Sequence, residues 1–450
     1  MLAVVAATLA LVLVAVLVTM LVAATIALVA TAATLNAPRC VIIGGTGRIG
    51  TSVATHLLSR CPSMNVVLAG RSPERGAAAV TEVGAQANVE FLELDFRDAT
   101  ALRAALDGAA AVVHTAGPYA GEAPDVLRAA LEAKVPVYTD LSDPIDYLDA
   151  AVAMSDAASD TLALCAAGAF PGLSNVFAME AAARLGEETI EDIDFSYFTA
   201  GLGGAGEVNL YITNDGFGEP VPVYRNGKYD PQLESGGNTR RVPFFLSGAD
   251  AASQQLVGER DVWSWPFPEG TLVARELGIT GSSSVGMGTA PGVWNDVMGL
   301  MVKAIPRPWW KTRAFSNGLA KFSRPLVYAT DLFVGETHAM RIDIKGKSGG
   351  RIAAVQTHES FRGVVGQSCA EFTLALLCAR GLVDATAEEA DALSALPARG
   401  VFTPEALFRE SAPRAAVLAR LLTVPGTTSA GYQRDDGQGG TVLETLRVVP

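Results

Sequence analysis

The sequence predicts an α/β protein in which a Rossmann-type, doubly wound parallel sheet precedes a second α+β domain with a mixed, largely antiparallel sheet. Three observations lead to this prediction. Short apolar runs alternate with helical stretches between 40 and 165, as they do in βαβ units. The alternation stops after 175, and hairpin patterns take its place. The 450-residue chain is also longer than one compact core usually is.

The first half of the chain alternates strand and helix patterns. Apolar, β-branched runs predict strands at 41–43, 66–69, 89–94, 111–114, 137–139 and 162–165. Helical spacing of apolar residues predicts helices at 49–59, 75–83, 99–106, 124–133 and 145–157. An alanine-rich helical bundle would not contain β-branched runs that close on Gly, Asp and His. We therefore expect parallel strands.

The second half is less regular. Asn226-Gly227 is a strong hairpin signal. The other strands of this half are expected at 190–199, 338–345 and 352–358, and its helices at 176–185 and 367–380. The last helix is expected to return to the first lobe, and 434–440 reads as an exposed loop. We predict a hydrophobic leader at 1–36, a Rossmann domain at 37–172 and an α+β domain that holds the substrate at 173–366. A helical return at 367–411 and a C-terminal tail at 412–450 follow.

Composition excludes several classes of function. The net charge of −13, without any block of Lys or Arg, argues against a nucleic-acid-binding surface. Five cysteines form no C-x-x-C pair, which makes a disulfide framework unexpected. Four scattered histidines show no ligand spacing, so we expect no metal site.

The leader stands apart because 1–38 contains no charged side chain. Its apolar run from 2 to 29 is longer than the ~20 residues that span a bilayer. We expect a membrane anchor or an uncleaved signal. A cleaved targeting peptide is the alternative, with Ala30-Thr31-Ala32 as a small-residue cleavage site. The protein is accordingly expected to be membrane-associated.

A glycine-rich loop follows the first predicted strand and opens the first helix. It reads Gly45-Thr46-Gly47-Arg48-Ile49-Gly50. In this context Gly45 would permit the tight turn, Gly47 the approach of a pyrophosphate, and Gly50 close helix–strand packing. The helix N-terminus then offers N–H groups to phosphates. The loop predicts a dinucleotide site, and a purely structural glycine turn is the alternative.

The end of the second strand indicates which dinucleotide binds. An Asp or Glu about 20 residues after the loop usually holds a free ribose 2′-hydroxyl. Here the chain has Gly70-Arg71-Ser72. A guanidinium pairs with a 2′-phosphate, which a carboxylate would repel. The sequence therefore predicts NADP(H), with Arg71 as a solvated surface residue as the alternative.

Later strand ends extend the predicted site. Asp95 follows the third strand, where its carboxylate could accept from the adenine amino group. Ala116, Gly117 and Pro118 follow the fourth strand beside the nicotinamide half, because ligands of open α/β sheets bind at the carboxyl ends of strands. Proton donors are expected among the residues that follow strands, and Tyr119 and Asp140 are the catalytic candidates, with His114 and Tyr197 also considered. Helix N-caps are the alternative for Asp95 and Asp140, and a core histidine for His114.

Six motifs together resemble the saccharopine dehydrogenase-like oxidoreductases. They are VIIGGTGRIG, LAGRS, LDFRD, HTAGPY, VYTDLSD and AGAFPGLSN. The resemblance implies NADP-linked hydride transfer to or from a carbon–nitrogen bond. It also implies that the nicotinamide and substrate are bordered by Gly168, Pro171, Gly172, Ser174 and Asn175. The stretches at 197–206 and 288–295 resemble plastid-type members, so the resemblance implies a plastid location.

The chain lacks a feature that the lysine-pathway enzyme of this family would need. No Arg/Lys cluster suits the several carboxylates of saccharopine; Arg240-Arg241 is the nearest, and a solvated strand edge is its expected role. We expect a small-molecule or lipid-like substrate, with a homodimer left open. The alternatives are an enoyl-reductase-like enzyme acting on a lipid and a non-catalytic NADPH-binding membrane protein. Trp309-Trp310 between basic residues indicates either a membrane-surface contact or ordinary helix packing.

Overall fold

The computed structural model describes residues 37–84, 88–201, 213–214, 216–217, 219–237, 239–246, 256–435 and 441–446. The predicted leader and its cleavage site lie outside these residues, as does 436–440 of the predicted exposed loop. Within the described part of the chain, no helix has both the length and the apolar character needed to cross a membrane.

The first lobe is built on a seven-stranded sheet with all neighbouring strands parallel. In spatial order its strands are β15 (Gly400–Phe402), β6 (Leu162–Leu164), β5 (Val137–Asp140), β4 (Ala111–His114), β1 (Arg39–Ile43), β2 (Asn65–Gly70) and β3 (Val89–Glu93). The helices between them are α1 (Arg48–Arg60), α2 (Pro73–Val83), α3 (Ala99–Leu106), α4 (Asp125–Glu132) and α5 (Ile145–Val152). The predicted doubly wound sheet is confirmed.

The second lobe contains an eight-stranded, largely antiparallel sheet. Among the described pairs, only the strands Ile190–Ala200 (β7) and Ser283–Thr289 (β12) run parallel. Its spatial order is β10 (Arg240–Pro243), β11 (Glu259–Ser264), β12 (Ser283–Thr289), β7 (Ile190–Ala200), β13 (Thr337–Gly346), β14 (Arg351–His358), β16 (Thr427–Asp435) and β17 (Thr441–Leu446). The predicted Asn226-Gly227 hairpin joins β8 (Pro220–Arg225) to β9 (Lys228–Glu234), with positive φ at both turn residues.

The remaining helices lie around and between the two sheets. They are α6 (Leu173–Arg184), α7 (Glu269–Leu277), α8 (Val293–Ala304), α9 (Arg307–Trp310), α10 (Arg313–Val334), α11 (Phe361–Ala379), α12 (Ala387–Leu393), α13 (Pro404–Leu407) and α14 (Ser411–Leu421). Helices α6 and α11 are buried along most of their length because neighbouring elements cover them on several sides. The largest apolar core joins side chains of both lobes, such as Ile42, Phe177, Phe195 and Phe372.

Several segments of the chain differ from their predicted bounds or arrangement. Helix α5 ends at Val152 rather than at 157, and α6 begins at Leu173 rather than at 176. Helix α11 begins at Phe361 rather than at 367, because the Ser360 hydroxyl accepts from the Gly363 N–H and caps the helix. The segment expected as a C-terminal tail supplies most of α14 and two strands, β16 and β17, to the second sheet. The helical return does reach the first lobe, where α11 packs on α1 and β15 joins the sheet edge.

Candidate functional site

A cleft of about 730 Å³ opens at the carboxyl edge of the parallel sheet, where the first lobe faces the second. The loops after β1, β2, β3 and β4 form one wall. Trp265, Phe267 and Met287 of the second lobe line the opposite side. This is the position at which open α/β sheets bind ligands.

The glycine loop lines the cleft through Thr46, Gly47, Arg48, Ile49 and Gly50. The Gly47 N-cap of α1 provides no side-chain acceptor, so the first turn of α1 retains N–H donors for an anion.

The structural roles of the glycines in this loop differ from the predicted ones. The tight turn is at Gly44, whose φ is +82°, and not at Gly45. Gly45 lies behind the cleft, where a Cβ would stand 2.8 Å from Leu68 Cα. At Gly50 a Cβ would stand 2.5 Å from the Gly44 carbonyl oxygen, so the close contact is between α1 and the loop rather than the predicted one between helix and strand. Gly45 thus allows β1 and β2 to approach, and contributes indirectly to binding.

Four arginines line the outer end of the cleft: Arg48, Arg71, Arg75 and Arg97. Arg71 and Ser72 were expected here. Arg75 was not predicted from the sequence. It lies four residues after Arg71, on the first turn of α2. Because no carboxylate lines this end among the described residues, the donor set fits a dinucleotide that carries a 2′-phosphate.

Ser72 also begins α2. Its hydroxyl accepts a hydrogen bond from the Arg75 N–H at 3.3 Å. A serine hydroxyl has one proton to donate as well as lone pairs to accept with. Ser72 therefore caps the helix and still offers a donor at the cleft.

The structure does not bring Asp95 or Pro118 into the cleft. The Asp95 carboxylate accepts from the Arg97 N–H at 3.1 Å, and the cleft is lined by the neighbouring Leu94 and Phe96. β3 ends at Glu93, and the turn that follows it places the Leu94 and Phe96 side chains, rather than the Asp95 carboxylate, at the cleft. Pro118 lines an adjacent cavity with His114, whereas Ala116 and Gly117 do line the cleft.

The two predicted catalytic side chains are both engaged with the protein. Tyr119 lines the cleft, but its hydroxyl donates to the His114 carbonyl at 2.6 Å. Asp140 lies behind the cleft and accepts from Ser142, Tyr138 and the Ala166 N–H. Burial raises the pKa of Asp140, and these hydrogen bonds oppose the rise. Asp140 therefore ties β5 to the turn after β6, and the geometry argues against its predicted role in proton transfer.

The carboxylate that does reach the cleft is Asp143. It is the second acid of the motif YTDLSD, of which sequence reasoning chose the first. Only the fold distinguishes the two, because β5 ends at Asp140 and the following turn carries Asp143 outwards. Asp143 is the one acidic side chain among the described residues that line this cleft.

The passage AGAFPGLSN forms the inner wall. Gly168, Ala169, Phe170 and Pro171 line the cleft. Phe170, which was not predicted, stacks on Tyr197 with ring centroids 4.6 Å apart and on His338 at 4.7 Å. An aromatic residue between a proline and two small residues was the only local signal for it.

The other three residues predicted to border the substrate are buried behind Phe170. Gly172 starts α6 with a φ of +134°, and its N–H donates to the Asn175 amide oxygen at 3.0 Å. Asn175 in turn donates to Glu405 at 2.8 Å. The Ser174 hydroxyl donates to Glu269 at 3.3 Å. These residues hold two buried carboxylates in place, and the cleft itself is lined by others.

Glu269 is an unexpected member of this buried layer. Tyr197 donates to its Oε1 at 2.7 Å, and its Oε2 has no hydrogen-bond partner among the described residues. Burial raises the pKa of Glu269 to about 7. The layer also includes His338, whose Nδ1 lies 3.2 Å from Thr199 Oγ1 and whose pKa burial lowers to about 3. His338 is therefore neutral at pH 7.

Apart from Asp143, Tyr119, Thr115 and Thr213, the side chains that line the cleft away from the arginine end are apolar. The lining of this part is completed by Leu141, Met287, Trp265, Phe267, Phe361 and Val365. Arg240 and Arg241 lie elsewhere, on the edge strand β10; Arg241 is exposed as expected, whereas Arg240 is half-buried. Arg240 donates to Ser284 and Ser196, and Arg241 pairs with Glu259 and Asp261. They do not form a carboxylate clamp at the cleft.

Residues 40–169 match the family model of the saccharopine dehydrogenase NADP-binding domain. The match includes the glycine loop, Arg71 and the loops after β3 and β4. This lobe is therefore an NADP-binding domain, and the predicted cofactor is confirmed. No curated protein matches the chain in sequence.

Among solved structures, the apo saccharopine dehydrogenase (L-Glu forming) of Saccharomyces cerevisiae aligns over 88% of this chain and 100% of its own, with 12% identity and a TM-score of 0.55. Triphenylmethane reductase of Citrobacter sp., complexed with NADP(H), aligns over 22% of this chain and 36% of its own, with 22% identity and a TM-score of 0.19. Vestitone reductase of alfalfa aligns over 23% and 35%, with 23% identity and a TM-score of 0.20. The yeast structure shares the two-lobed fold.

Proposed function

We propose that this chain is an NADP(H)-dependent oxidoreductase that transfers a hydride to or from a C=N, or related, bond of a largely apolar substrate. The NADP-binding domain and the fold shared with saccharopine dehydrogenase support an NADP-dependent oxidoreductase. The observation that carries the substrate class is the division of the cleft. Arginines occupy its outer end, and aromatic and aliphatic side chains occupy its inner end.

The cofactor half offers residues for the pyrophosphate, the 2′-phosphate and the nicotinamide of NADP(H). The first turn of α1 would hold the pyrophosphate, and Arg71 with Arg75 the 2′-phosphate. The nicotinamide would lie against Ala116, Gly117 and the Phe170 wall. Bound NADPH would supply the hydride, or bound NADP⁺ would accept it, so the protein has to orient the substrate, exclude water and exchange one proton.

The substrate half disfavours an amino-acid adduct with several carboxylates. Such a substrate needs basic partners, and the described lining of the inner cleft has none. The aromatic lining instead removes apolar surface from water. It also favours the second candidate, reduction of an activated C=C bond in a lipid-like molecule, because that reaction too needs an apolar site.

Asp143 is the side chain that we assign to the proton or to a cationic substrate nitrogen. It lines the cleft with Leu141 and Phe170. A carboxylate at this position stabilises a protonated imine, and a carboxylic acid delivers a proton to a reduced C=C or C=O bond. The two chemistries differ in whether Asp143 must be ionised, so the pH dependence of turnover distinguishes them.

The test is NADPH consumption by the full chain with three sets of apolar acceptors: imines, enones and ketones. We expect turnover with one set, and a loss of at least about 100-fold in D143N with cofactor affinity unchanged. Asp125→Asn, on the surface of α4, is the control. NADPH binding without turnover of any acceptor would instead support the non-catalytic alternative.

Membrane attachment through 1–36, a plastid location and a homodimer remain proposals from the sequence. None of them depends on the cleft. Each is open to a separate measurement on the full chain.

A further inference from the structure

Helices α8, α9 and α10 each present apolar side chains to solvent. We call this set the α8–α10 face; its exposed members are Val293, Val297, Leu300, Trp309, Phe322, Leu326, Leu332 and Phe333. Phe333 is 91% exposed and Phe322 74% exposed. Single exposed apolar residues are ordinary, but a cluster of large ones marks a surface that contacts something apolar.

The face follows helical periodicity. Val293, Val297 and Leu300 are spaced i, i+4 and i+7 on α8, so they share one side of that helix. Phe322, Leu326 and Phe333 share one side of α10 in the same way. These helices therefore carry apolar side chains on the side that faces solvent as well as on the side that packs on the protein.

Other side chains anchor the helices to the second lobe. Trp294 donates from Nε1 to Thr330 Oγ1 at 3.3 Å, which joins α8 to α10. Trp310 is buried against Phe217 and Phe315. Of the two tryptophans noted in the sequence, Trp310 is thus a packing residue and Trp309 is 58% exposed. The α8–α10 face is not needed for this anchoring.

Charge indicates what contacts the face. The segment 293–334 contains six basic and two acidic side chains, in a chain of net charge −13. Arg313 pairs with Glu122 and Lys311 with Glu219, which lie outside the segment. Lys303 and Lys321 remain on its exposed surface. A second copy of the chain would bring like charges together in a symmetric contact, whereas an anionic lipid surface complements them.

The geometry fits adsorption in the plane of a membrane. Although α10 has 22 residues, it contains Lys321, Arg324 and Pro325 and is not apolar enough to cross a bilayer. Trp309 is 58% exposed and stands between Arg307 and Lys311 in the sequence, and tryptophan is favoured at the headgroup level of a membrane.

We propose that the α8–α10 face binds the surface of an anionic lipid membrane, with Phe322, Leu326 and Phe333 inserted below the headgroups. This contact is separate from the apolar leader. It also involves the side of the protein next to the cofactor loop, because Arg48 Nη2 donates to the Tyr328 hydroxyl of α10 at 3.0 Å. The proposal does not rest on the proposed enzymatic function.

The experiment must distinguish this face from the leader. The full chain is mixed with phosphatidylcholine–phosphatidylglycerol vesicles whose acyl chains carry bromine, and tryptophan fluorescence is recorded. Trp294 of α8 is half-buried, so the measurement is made in a Trp294→Phe background; there we expect quenching that Trp309→Phe removes, because Trp263, Trp265 and Trp310 are buried. F322S/F333S should weaken the quenching at least about tenfold in lipid concentration. Tyr229→Ser, which alters an exposed aromatic residue on β9, should leave it unchanged.

Lipid charge and salt provide the second readout. Quenching should be weaker with vesicles of pure phosphatidylcholine than with the anionic mixture. High salt should weaken the quenching by the anionic mixture. Co-sedimentation of the full chain with vesicles while Trp309 stays unquenched would overturn the proposal and leave attachment to the leader alone. Self-association that depends on Phe322 and Phe333 without lipid would also overturn it, since the face would then be a contact between copies.

Discussion

Arg71 lies where β2 ends, with its guanidinium exposed at the rim of the cleft. If it pairs with the 2′-phosphate, Arg71→Ala removes charge-assisted hydrogen bonds worth roughly 1.5–3 kcal/mol. NADPH affinity should fall about 10- to 100-fold, and NADH affinity should stay the same. Fluorescence titration of both nucleotides measures the difference.

A matched control for Arg71 is Arg128→Ala. Arg128 is also exposed, pairs with Asp125 on α4 and does not line this cleft. Its replacement should leave both titrations unchanged. An equal loss of NADPH and NADH affinity in Arg71→Ala would show that the residue contacts the shared part of the two nucleotides.

The buried carboxyl group of Glu269 should make the stability of the protein depend on pH. Burial raises its pKa from 4.5 to about 7, a shift worth roughly 3 kcal/mol. The folded protein keeps a proton that the unfolded chain releases above pH 4.5, so this group favours folding at low pH. Its contribution is lost as the pH rises towards 7. Glutamine does not ionise, so the free energy of unfolding of Glu269→Gln should rise relative to that of wild type between pH 4.5 and about 7.

Urea unfolding at a series of pH values tests this expectation. Glu90→Gln, at an exposed position on β3, is the control and should follow the wild-type curve. Parallel curves for Glu269→Gln and wild type would mean that Glu269 titrates normally and that its environment is more polar than the structure indicates.

At the scale of elements, the start of α6 positions the inner wall of the cleft. Gly172 has a φ of +134°, and a Cβ there would overlap the backbone of Gly168. Gly172→Ala combines backbone strain with this overlap and should destabilise the protein by about 3 kcal/mol or more. Because Gly168 and Phe170 would shift, NADPH affinity should fall as well. Thermal unfolding and nucleotide titration measure the two effects.

Gly278→Ala separates strain from overlap. Gly278 ends α7 with a φ of +60°, but a Cβ there would meet nothing within 4 Å. Its replacement should cost only about 1 kcal/mol and leave NADPH affinity unchanged. A similar cost at both glycines would indicate that the contact between Gly172 and Gly168 is unimportant.

At the scale of the whole molecule, Glu371 of α11 joins distant parts of the chain. Its Oε1 lies 2.7 Å from His56 Nε2 and 3.0 Å from Arg60 Nε, both on α1, and its Oε2 lies 3.2 Å from Arg420 Nη1 on α14. Burial raises the pKa of Glu371, but the His56 hydrogen bond and the arginine charges outweigh burial and hold it below 4.5. This contribution to stability is present above pH 4.5 and is lost as the pH falls below it.

Glu371→Gln should therefore destabilise the protein at neutral pH by about 3–5 kcal/mol and flatten the acid limb of its stability curve. Asp125→Asn breaks an exposed pair and should cost less than about 1 kcal/mol. Denaturant unfolding between neutral and acidic pH compares them. An unchanged acid limb in Glu371→Gln would assign acid unfolding to other carboxylates.

Local sequence patterns were sufficient for the parallel sheet, the glycine loop and the choice of NADP. Each depends on residues close together in the chain: a strand, the turn that follows it and the next helix. The Asn226-Gly227 hairpin is of the same kind, because its turn conformation depends on two residues.

Contacts between distant segments decided the rest. Asn175 reaches Glu405, which is 230 residues away, and Ser174 reaches Glu269, 95 residues away. Which of Asp140 and Asp143 faces the cleft depends on where β5 ends, and the role of Phe170 depends on Tyr197 and His338 from the second sheet. A pattern within the chain specifies which residues form a strand or a turn, but the direction and burial of a side chain are set by the elements that pack against it.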